Sequence, residues 1–176
     1  MIKTSLHLSG IELIQLKKHN DKRGLFVKNF QKSAYSNLSI NIDWKEEFYS
    51  ISKKNVFRGL HFQEPPFEQW KLVTCLHGEI LDYIVDIRKN SSTYGSFIEV
   101  NLNGNKPECL LIPPGFAHGF YTKQENTLVS YKVSKEYNPS KDTGISWKSL
   151  EKDFSQAIIS ERDEGFPTLN NYNSPF

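Results

Sequence analysis

Short runs of β-branched and aromatic residues recur along almost the whole chain, separated by turn-forming segments about ten residues apart. None of these runs has the apolar period of a long helix. The pattern predicts an all-β fold, either a sandwich or a barrel, with weak helix signals only at 31–38 and 148–156. The predicted strands lie within residues 11–16, 25–30, 46–52, 57–63, 71–88, 96–102, 109–113 and 127–133.

The segment 71–88 gives the clearest hairpin signal, because His77 and Gly78 interrupt two apolar runs. Both faces of the second arm are largely apolar, so we expect a strand that is buried on both sides. Asp82 lies in this arm, and a buried carboxylate needs partners. It is either a satisfied structural residue or one that orients a base in a pocket.

Length and charge limit the classes of protein that fit. The 176 residues fit one domain spanning 1–176, with a tail from about residue 148. The turn-rich end of the tail at 166–176 is expected to be partly mobile or docked on a neighbour. The net charge of +2, with both signs interspersed, argues against nucleic-acid binding and is compatible with a small anionic ligand.

The N-terminal sequence and the hydropathy favour a cytoplasmic protein with no membrane partner. Residues 1–10 lack the apolar core of a signal peptide. No apolar run approaches the roughly 18 residues that a membrane-spanning helix needs.

Two motifs, RGLHFQ at 58–63 and PPGFAHGF at 113–120, each set a histidine beside glycine in a strand-rich context. Strand alternation predicts that His61 shares a face with Gln63, while Arg58 points to the other face. The same alternation directs Tyr131 into the interior. A lone inward tyrosine usually serves packing, but together with His61 and Lys71 it suggests proton-transfer chemistry.

A bound catalytic metal is disfavoured by the histidine spacing. The segment from Pro113 to His118 matches the distal part of a cupin metal motif. The proximal part, two histidines one residue apart, is missing, since Gln63 stands two positions after His61. We therefore expect neither a metal nor another cofactor, which leaves the histidines available as bases.

The three polar side chains fit the removal of a proton from a carbon next to a ketone. His61 has the chemistry of a base near neutral pH, and Lys71 that of a cation facing the developing enolate oxygen. Tyr131 fits an acid that returns a proton from the opposite face. Arg58 and Arg23 could each bind a phosphate, although an ordinary surface role is equally compatible with either.

Six ordered motifs resemble those of the dTDP-4-dehydrorhamnose 3,5-epimerase family, which acts on nucleotide-linked 4-keto-6-deoxyhexoses. The resemblance runs from about Asp21 to Trp147, and several long motifs in the right order are far more specific than one. The motifs are DKRGLF at 21–26, SKKNVFRGLHFQ at 52–63, KLV at 71–73, VDIRKNSSTYG at 85–95, IPPGFAHGF at 112–120 and YKVSKEYNP at 131–139.

The resemblance implies a metal-free, cupin-type jelly-roll β-barrel with a few short helices, and a homodimer whose N-terminal strands are exchanged. It implies a nucleotide-diphosphate sugar as substrate, with His61 as base, Lys71 as enolate stabiliser and Tyr131 as acid. Asp163 best matches the aspartate that orients the base in this family. The implied substrate-binding residues are Arg58, Arg23 (supplied by the partner subunit), Gln63, His118, Asp82, Phe26 and Tyr137.

Several positions depart from the family pattern. Glu46, Glu47 and Phe48 replace the usual Q-x-N element, Lys28 replaces a glutamate, and Glu136 replaces the first of two aromatic residues. Because most of these positions border the nucleotide, the departures suggest a carrier other than thymidine, such as CDP, or an unusual sugar.

Other functions remain open at this point. A 3,4-ketoisomerase could use the same base and barrel without an opposing Tyr131, and a noncatalytic sugar-nucleotide binding module would need no such trio. The leading expectation is an epimerase that inverts carbon 3, carbon 5 or both in deoxysugar synthesis for surface polysaccharide.

Overall fold

The computed structural model describes residues 1–176 and confirms the predicted all-β fold. Each of the predicted runs contains a strand. The strands are β1 (Ile2–Ser5), β2 (Glu12–Gln15), β3 (Lys18–Asp21), β4 (Gly24–Val27), β5 (Glu46–Ser52), β6 (Phe57–Gln63), β7 (Lys71–His77), β8 (Glu79–Asp86), β9 (Phe97–Asn103), β10 (Glu108–Ile112), β11 (Phe116–Thr122), β12 (Thr127–Val133) and β13 (Asp142–Gly144).

Two antiparallel sheets face each other, which gives the jelly-roll barrel of the cupin type. The six-stranded sheet has the order β1-β2-β10-β7-β12-β5, and the five-stranded sheet has the order β13-β6-β11-β8-β9. The small hairpin β3-β4 belongs to neither sheet. The side chains of Leu25 and Phe26 on this hairpin are 48% and 60% exposed, so they are not packed into either core.

The predicted hairpin at 71–88 is wrong. β7 pairs with β10 and β12 in one sheet, whereas β8 pairs with β9 and β11 in the other. Gly78 carries the chain from one sheet to the other with φ +79°, and a Cβ there would lie 2.4 Å from Oγ1 of Thr127. A tight glycine turn between two apolar runs has the same sequence pattern whether the two strands pair with each other in a hairpin or belong to different sheets.

The apolar residues form three layers. The interior layer takes side chains from both sheets, including Val73, Ile84 and Val129. A second layer covers the outer face of the five-stranded sheet, where the C-terminal segment packs, and a third lies between the six-stranded sheet and helix α1 (Lys32–Ser36). β8 is therefore buried on both faces, as its sequence predicts.

The C-terminal tail packs on the barrel of its own chain. Tyr172 and Phe176 pack edge-on against Phe62, and the backbone N–H of Lys89 donates to the carbonyl of Phe176 at 2.9 Å. The tail contains a 3₁₀ turn at Trp147–Leu150, where a weak helix signal begins, and the one-turn helix α2 (Glu161–Glu164), which the sequence pattern does not indicate. No helix of the structure combines the length and the apolar character that crossing a membrane requires.

Candidate active site

A cavity of about 360 Å³ lies between the two sheets and contains most of the polar residues singled out from the sequence. Its walls come from β5, β7 and β12 of one sheet and from β6, β11 and β13 of the other. The lining residues are Glu46, Phe48, Ser50, Arg58, His61, Gln69, Lys71, His118, Gly119, Phe120, Tyr131, Val133, Tyr137 and Asp142.

A bulge in β6 brings Arg58 and His61 into this cavity together. His61 pairs with His118 and Arg58 with Phe120, so β6 uses one more residue than β11 over this stretch. The predicted alternation, which puts Arg58 on the opposite face from His61, is therefore wrong. Gly59 occupies the bulge with φ +131°, and a Cβ on it would lie only 2.5 Å from the Cα of Gly119.

His61 forms a partly buried pair with Asp163 of α2. Nε2 of His61 lies 2.8 Å from Oδ1 of Asp163, and the backbone N–H of Gly59 donates to Oδ2 at 3.0 Å. Burial by itself would raise the pKa of Asp163, but the hydrogen bonds from His61, Gly59 and Ser160 hold the pKa below its ordinary value. Because this carboxylate is ionised and accepts, we assign the proton of neutral His61 to Nε2, which leaves Nδ1 free as a base.

Lys71 lies on β7 with its ammonium group in the cavity and close to His61. Nζ donates to the backbone carbonyl of His61 at 2.9 Å. Burial lowers the pKa of Lys71 to about 8, while the charges of Asp142 and Asp82 act in the opposite direction. The ammonium form therefore predominates at neutral pH and can face a developing oxyanion.

Tyr131 enters the cavity from β12, in the sheet that faces the strand of His61. Its side chain is stacked on Phe48, with ring centroids 4.8 Å apart and an angle of 17°, and it meets the ring of His118 edge-on at 6.3 Å. Burial raises the pKa of Tyr131, so the phenol keeps its proton across the ordinary pH range and can act as an acid.

His118 and Asp82 form a second histidine–carboxylate pair inside the barrel. Nε2 of His118 lies 2.6 Å from Oδ1 of Asp82, and Asp82 is fully buried. The other carboxylate oxygen of Asp82 has no hydrogen-bond partner. Asp82 is therefore hydrogen-bonded to a histidine of the cavity wall, and both roles that its sequence context leaves open are compatible with this contact.

The mouth of the cavity carries groups that can contact a longer ligand. Arg58 is exposed, and its Nε donates to Ser52 at 3.0 Å, which leaves the rest of the guanidinium free for an anion. The exposed side chain of Tyr137 stands at the rim, where its backbone N–H donates to Glu46 at 2.8 Å.

Four residues that the sequence suggests for substrate binding lie outside this lining, and Asp82, described above, is one of them. Gln63 is buried, and its amide bridges loops by donating to the carbonyls of Phe67 and Glu136 and accepting from the N–H of Asn138. Arg23 and Phe26 are on the β3-β4 hairpin, where Arg23 pairs with Asp21 at 2.6 Å. In one copy of the chain these two residues do not line the cavity.

Sequence reasoning missed Asp142 and Phe166. Asp142 begins the short strand β13 and lines the cavity, and Phe166 packs edge-on against His61 with centroids 5.7 Å apart. Neither residue lies in a run with strand alternation. Pairing of β13 with β6, which sets Gly144 opposite His61, brings Asp142 to the cavity. Phe166 follows α2, whose Asp163 is hydrogen-bonded to His61.

The fold and the cavity define a cupin-type barrel whose site presents a histidine–aspartate pair, a lysine and a tyrosine from facing sheets. The structure has no cluster of three or more His, Cys, Asp or Glu side chains arranged to hold a metal ion. Each of the two cavity histidines is instead hydrogen-bonded to a single aspartate.

The chain belongs to the dTDP-4-dehydrorhamnose 3,5-epimerase family, whose sequence profile matches residues 5–171. It is thus an enzyme of the isomerase class, an epimerase. It is 38% identical to the Salmonella typhimurium dTDP-4-dehydrorhamnose 3,5-epimerase over 97% of this chain and 95% of that one. It is 36% identical to the Escherichia coli enzyme of the same name, over 93% and 91% of the two chains.

Solved structures agree with the sequence comparison. The crystal structure of the Sulfolobus tokodaii dTDP-4-dehydrorhamnose 3,5-epimerase superimposes with a TM-score of 0.90 at 36% identity, covering 98% of this chain and 97% of that one. The Legionella pneumophila 3,5-epimerase, solved with dTDP-4-keto-L-rhamnose, gives a TM-score of 0.91 at 33% identity, covering 98% and 94%.

Proposed function

We propose that the protein inverts carbons 3 and 5 of a dTDP-linked 4-keto-6-deoxyhexose, in deoxysugar synthesis for surface polysaccharide. The observation that carries the proposal is that His61 and Tyr131 enter one cavity from facing sheets, with Lys71 beside His61. The Legionella pneumophila relative was solved with dTDP-4-keto-L-rhamnose and the Bacillus anthracis relative with TDP and pyrophosphate. These complexes support the same class of ligand here.

Each inversion is a pair of proton transfers. Nδ1 of His61 takes the proton from the carbon next to the ketone, and the electron pair of the C–H bond moves onto the ketone oxygen as an enolate. The Lys71 ammonium stabilises that oxygen, where the negative charge develops. The Tyr131 hydroxyl then gives its proton to the carbon from the opposite face, and exchange with solvent restores both side chains.

A cytidine carrier is the second candidate, and one observation favours it. Glu46 and Phe48, which replace the family's Q-x-N element, both line the cavity and can therefore reach the ligand. An acceptor-only carboxylate such as Glu46 can pair with an exocyclic amine, which cytosine has and thymine lacks. The relatives that match over most of the chain are nevertheless named for thymidine-linked sugars.

Proton NMR in heavy water tests the activity and the carrier together. The enzyme is incubated with 4-keto-6-deoxyglucose linked to dTDP and, separately, to CDP, and loss of the hydrogens on carbons 3 and 5 is followed. We expect exchange at both carbons and faster exchange with the dTDP sugar. Faster exchange with the CDP sugar would establish the second candidate, and no exchange with either would contradict the proposed function.

The ketoisomerase alternative is separated from the epimerase by Tyr131→Phe. We expect this variant to retain the fold and to lose inversion, because the acid on the second face is missing. An enzyme that shuttles a proton between carbons on one face would stay active. The alternative of a noncatalytic binding module has no support, since the chain belongs to a family of enzymes.

We further propose that the working unit is a homodimer in which the β3-β4 hairpin reaches the partner's cavity. The hairpin stands apart from both sheets, exposes Phe26 and carries Arg23 away from the cavity of its own chain. An arginine delivered by the partner would add a second guanidinium to Arg58 for a diphosphate.

A further inference from the structure

An ion pair at the rim of the cavity joins the C-terminal tail to the strand beside His61. Nη2 of Arg162 in α2 lies 2.6 Å from Oδ2 of Asp142 in β13. The guanidinium also packs over the ring of Phe166 at 5.3 Å. The side chain of Arg162 is 49% exposed and that of Asp142 only 15%, so the pair spans from solvent to the cavity wall.

Asp142 also faces inward, because it lines the same cavity as Lys71. The charge of Asp142 is the largest influence that opposes the burial of the Lys71 ammonium, and the charge of Asp82 comes next. One oxygen of Asp82 is already held by His118 at 2.6 Å. Asp142 is therefore the carboxylate whose effect on Lys71 depends on a partner at the surface.

Charged and titratable groups reach Lys71 from each strand packed around the cavity. Arg58 is a cation at the mouth, the two histidines are each held by an aspartate, and Tyr131 is a neutral phenol at ordinary pH. The complete set is Glu46 on β5, Arg58 and His61 on β6, Asp82 on β8, His118 on β11, Tyr131 on β12, Asp142 on β13 and Tyr137 after β12. Within this set only Asp142 is shared with a cation outside the cavity.

We propose that Asp142 is a positioning residue, shared between Arg162 outside and Lys71 inside, that keeps Lys71 in its ammonium form during the reaction. The inference rests on the proposed function, in which that ammonium stabilises the enolate. The Arg162 guanidinium partly neutralises the carboxylate, so the ion pair determines how strongly Asp142 stabilises the ammonium form of Lys71. Loss of Asp142 and loss of Arg162 must then shift the Lys71 pKa in opposite directions.

Carbon-13 NMR of protein labelled at lysine Cε measures the Lys71 pKa directly, without substrate, and Lys71→Met identifies the signal. We expect Asp142→Asn to lower the Lys71 pKa by about half a unit or more and Arg162→Gln to raise it. Glu99→Gln is the matched control, because it also removes a carboxylate from an ion pair, with Lys152 at 2.7 Å, on a strand outside the cavity. Its Lys71 pKa should equal that of the wild type.

An unchanged Lys71 pKa in Asp142→Asn, or an equal shift in Glu99→Gln, would overturn the proposal. If Asp142→Asn does not fold, Arg162→Gln decides, since an unchanged or lower Lys71 pKa in that variant contradicts the sharing of Asp142. The pH profile of kcat gives the second readout. The alkaline limb of this profile should shift with the Lys71 pKa in each variant. An alkaline limb at the wild-type pH in both variants would refute the role of Asp142 in the reaction.

The two readouts keep this inference separate from the proposed function. Failure of the wild-type enzyme to turn over either sugar nucleotide would remove the proposed function. The NMR titration would still show whether Asp142 controls the charge of Lys71. A merely structural Asp142–Arg162 pair would lower stability in both variants and leave the Lys71 pKa at the value of the Glu99→Gln control.

Discussion

At the scale of single residues, the site holds a charged group, the Lys71 ammonium, in a place where burial disfavours the charge. The Lys71 ammonium is inside a cavity, where burial lowers its pKa to about 8 and its one hydrogen bond goes to the carbonyl of His61. A one-unit pKa shift corresponds to about 1.4 kcal/mol of preference for the neutral form. Below pH 8 the folded protein therefore carries an ammonium that would be better solvated in the unfolded chain.

Lys71→Met should consequently separate activity from stability. We expect kcat to fall by about 100-fold or more, because an oxyanion-stabilising group is lost. We expect the Tm at pH 7 to rise by roughly 2–6 °C, since a buried charge is replaced by an apolar side chain of similar length. Calorimetry and NMR-monitored turnover measure the two effects, and Lys152→Met is a surface control. A lower Tm would contradict the assigned cost of the buried ammonium.

The sign of the pH dependence follows from the same shift. The folded-state pKa of Lys71 is about 8, below the ordinary value of 10.5. Between these values the unfolded chain binds more protons at this site, so the contribution of Lys71 makes the free energy of unfolding rise with pH in that window. Lys71→Met should flatten this rise between pH 8 and about 10.

Asp163→Asn tests the orientation of the base. The carboxylate accepts from both His61 Nε2 and the Gly59 N–H. An amide can present its NH₂ group to the imidazole, which then favours the tautomer that has its proton on Nδ1. We expect kcat to fall by about 100-fold or more with the fold retained, as measured by exchange NMR and circular dichroism. Asp153→Asn removes an exposed carboxylate from the same tail and should keep full activity, and a fully active Asp163→Asn would exclude the pairing from catalysis.

At the scale of secondary-structure elements, the sequence predicts strands better than it predicts their partners. Strand patterns mark β8 and β12 well, because β8 is apolar and mostly buried on both faces, whereas β12 alternates between buried and half-buried side chains. The same reasoning fails at β6, where one bulged residue puts Arg58 and His61 on one side. It fails again at Gly78, which turns the chain into the other sheet. Both errors concern pairing between distant segments, and local periodicity carries no information on that pairing.

Gly59→Ala measures what the β6 bulge requires. The position combines φ +131° with a Cβ that would lie 2.5 Å from the Gly119 Cα, so both the backbone conformation and the space demand glycine. We expect a loss of about 3 kcal/mol or more in the free energy of unfolding. Gly24→Ala is the matched control, with φ +118° and no atom within 4 Å of its Cβ. Equal losses in the two variants would show that packing against β11 adds nothing.

At the scale of the whole molecule, the site is assembled from segments that are far apart in the chain. His61 and Asp163 are 102 positions apart, and only the docking of the tail on the five-stranded sheet brings them within 2.8 Å. Physical reasoning from the sequence found His61, Lys71 and Tyr131 as a chemical set. It had no route to Asp163, which came from the family resemblance, or to Asp142, because one-turn and three-residue elements leave no periodic signal.

Subunit complementation tests whether a partner completes each cavity. Arg23→Ala and His61→Ala homodimers should both be poor catalysts, the first because each site lacks the arginine supplied by the neighbouring hairpin. In a mixed dimer, one site collects both lesions and the other collects neither. Random pairing of equal amounts makes half of the dimers mixed, so kcat/KM per subunit should recover to about a quarter of the wild-type value.

Recovery requires that mixed dimers form, which co-expression of the two variants with different affinity tags ensures. Sedimentation then verifies the dimer. Mixed dimers no more active than the average of the two parents would mean that Arg23 serves its own chain or no site at all. The position of the β3-β4 hairpin outside both sheets would then not be explained by a contribution to the partner's cavity.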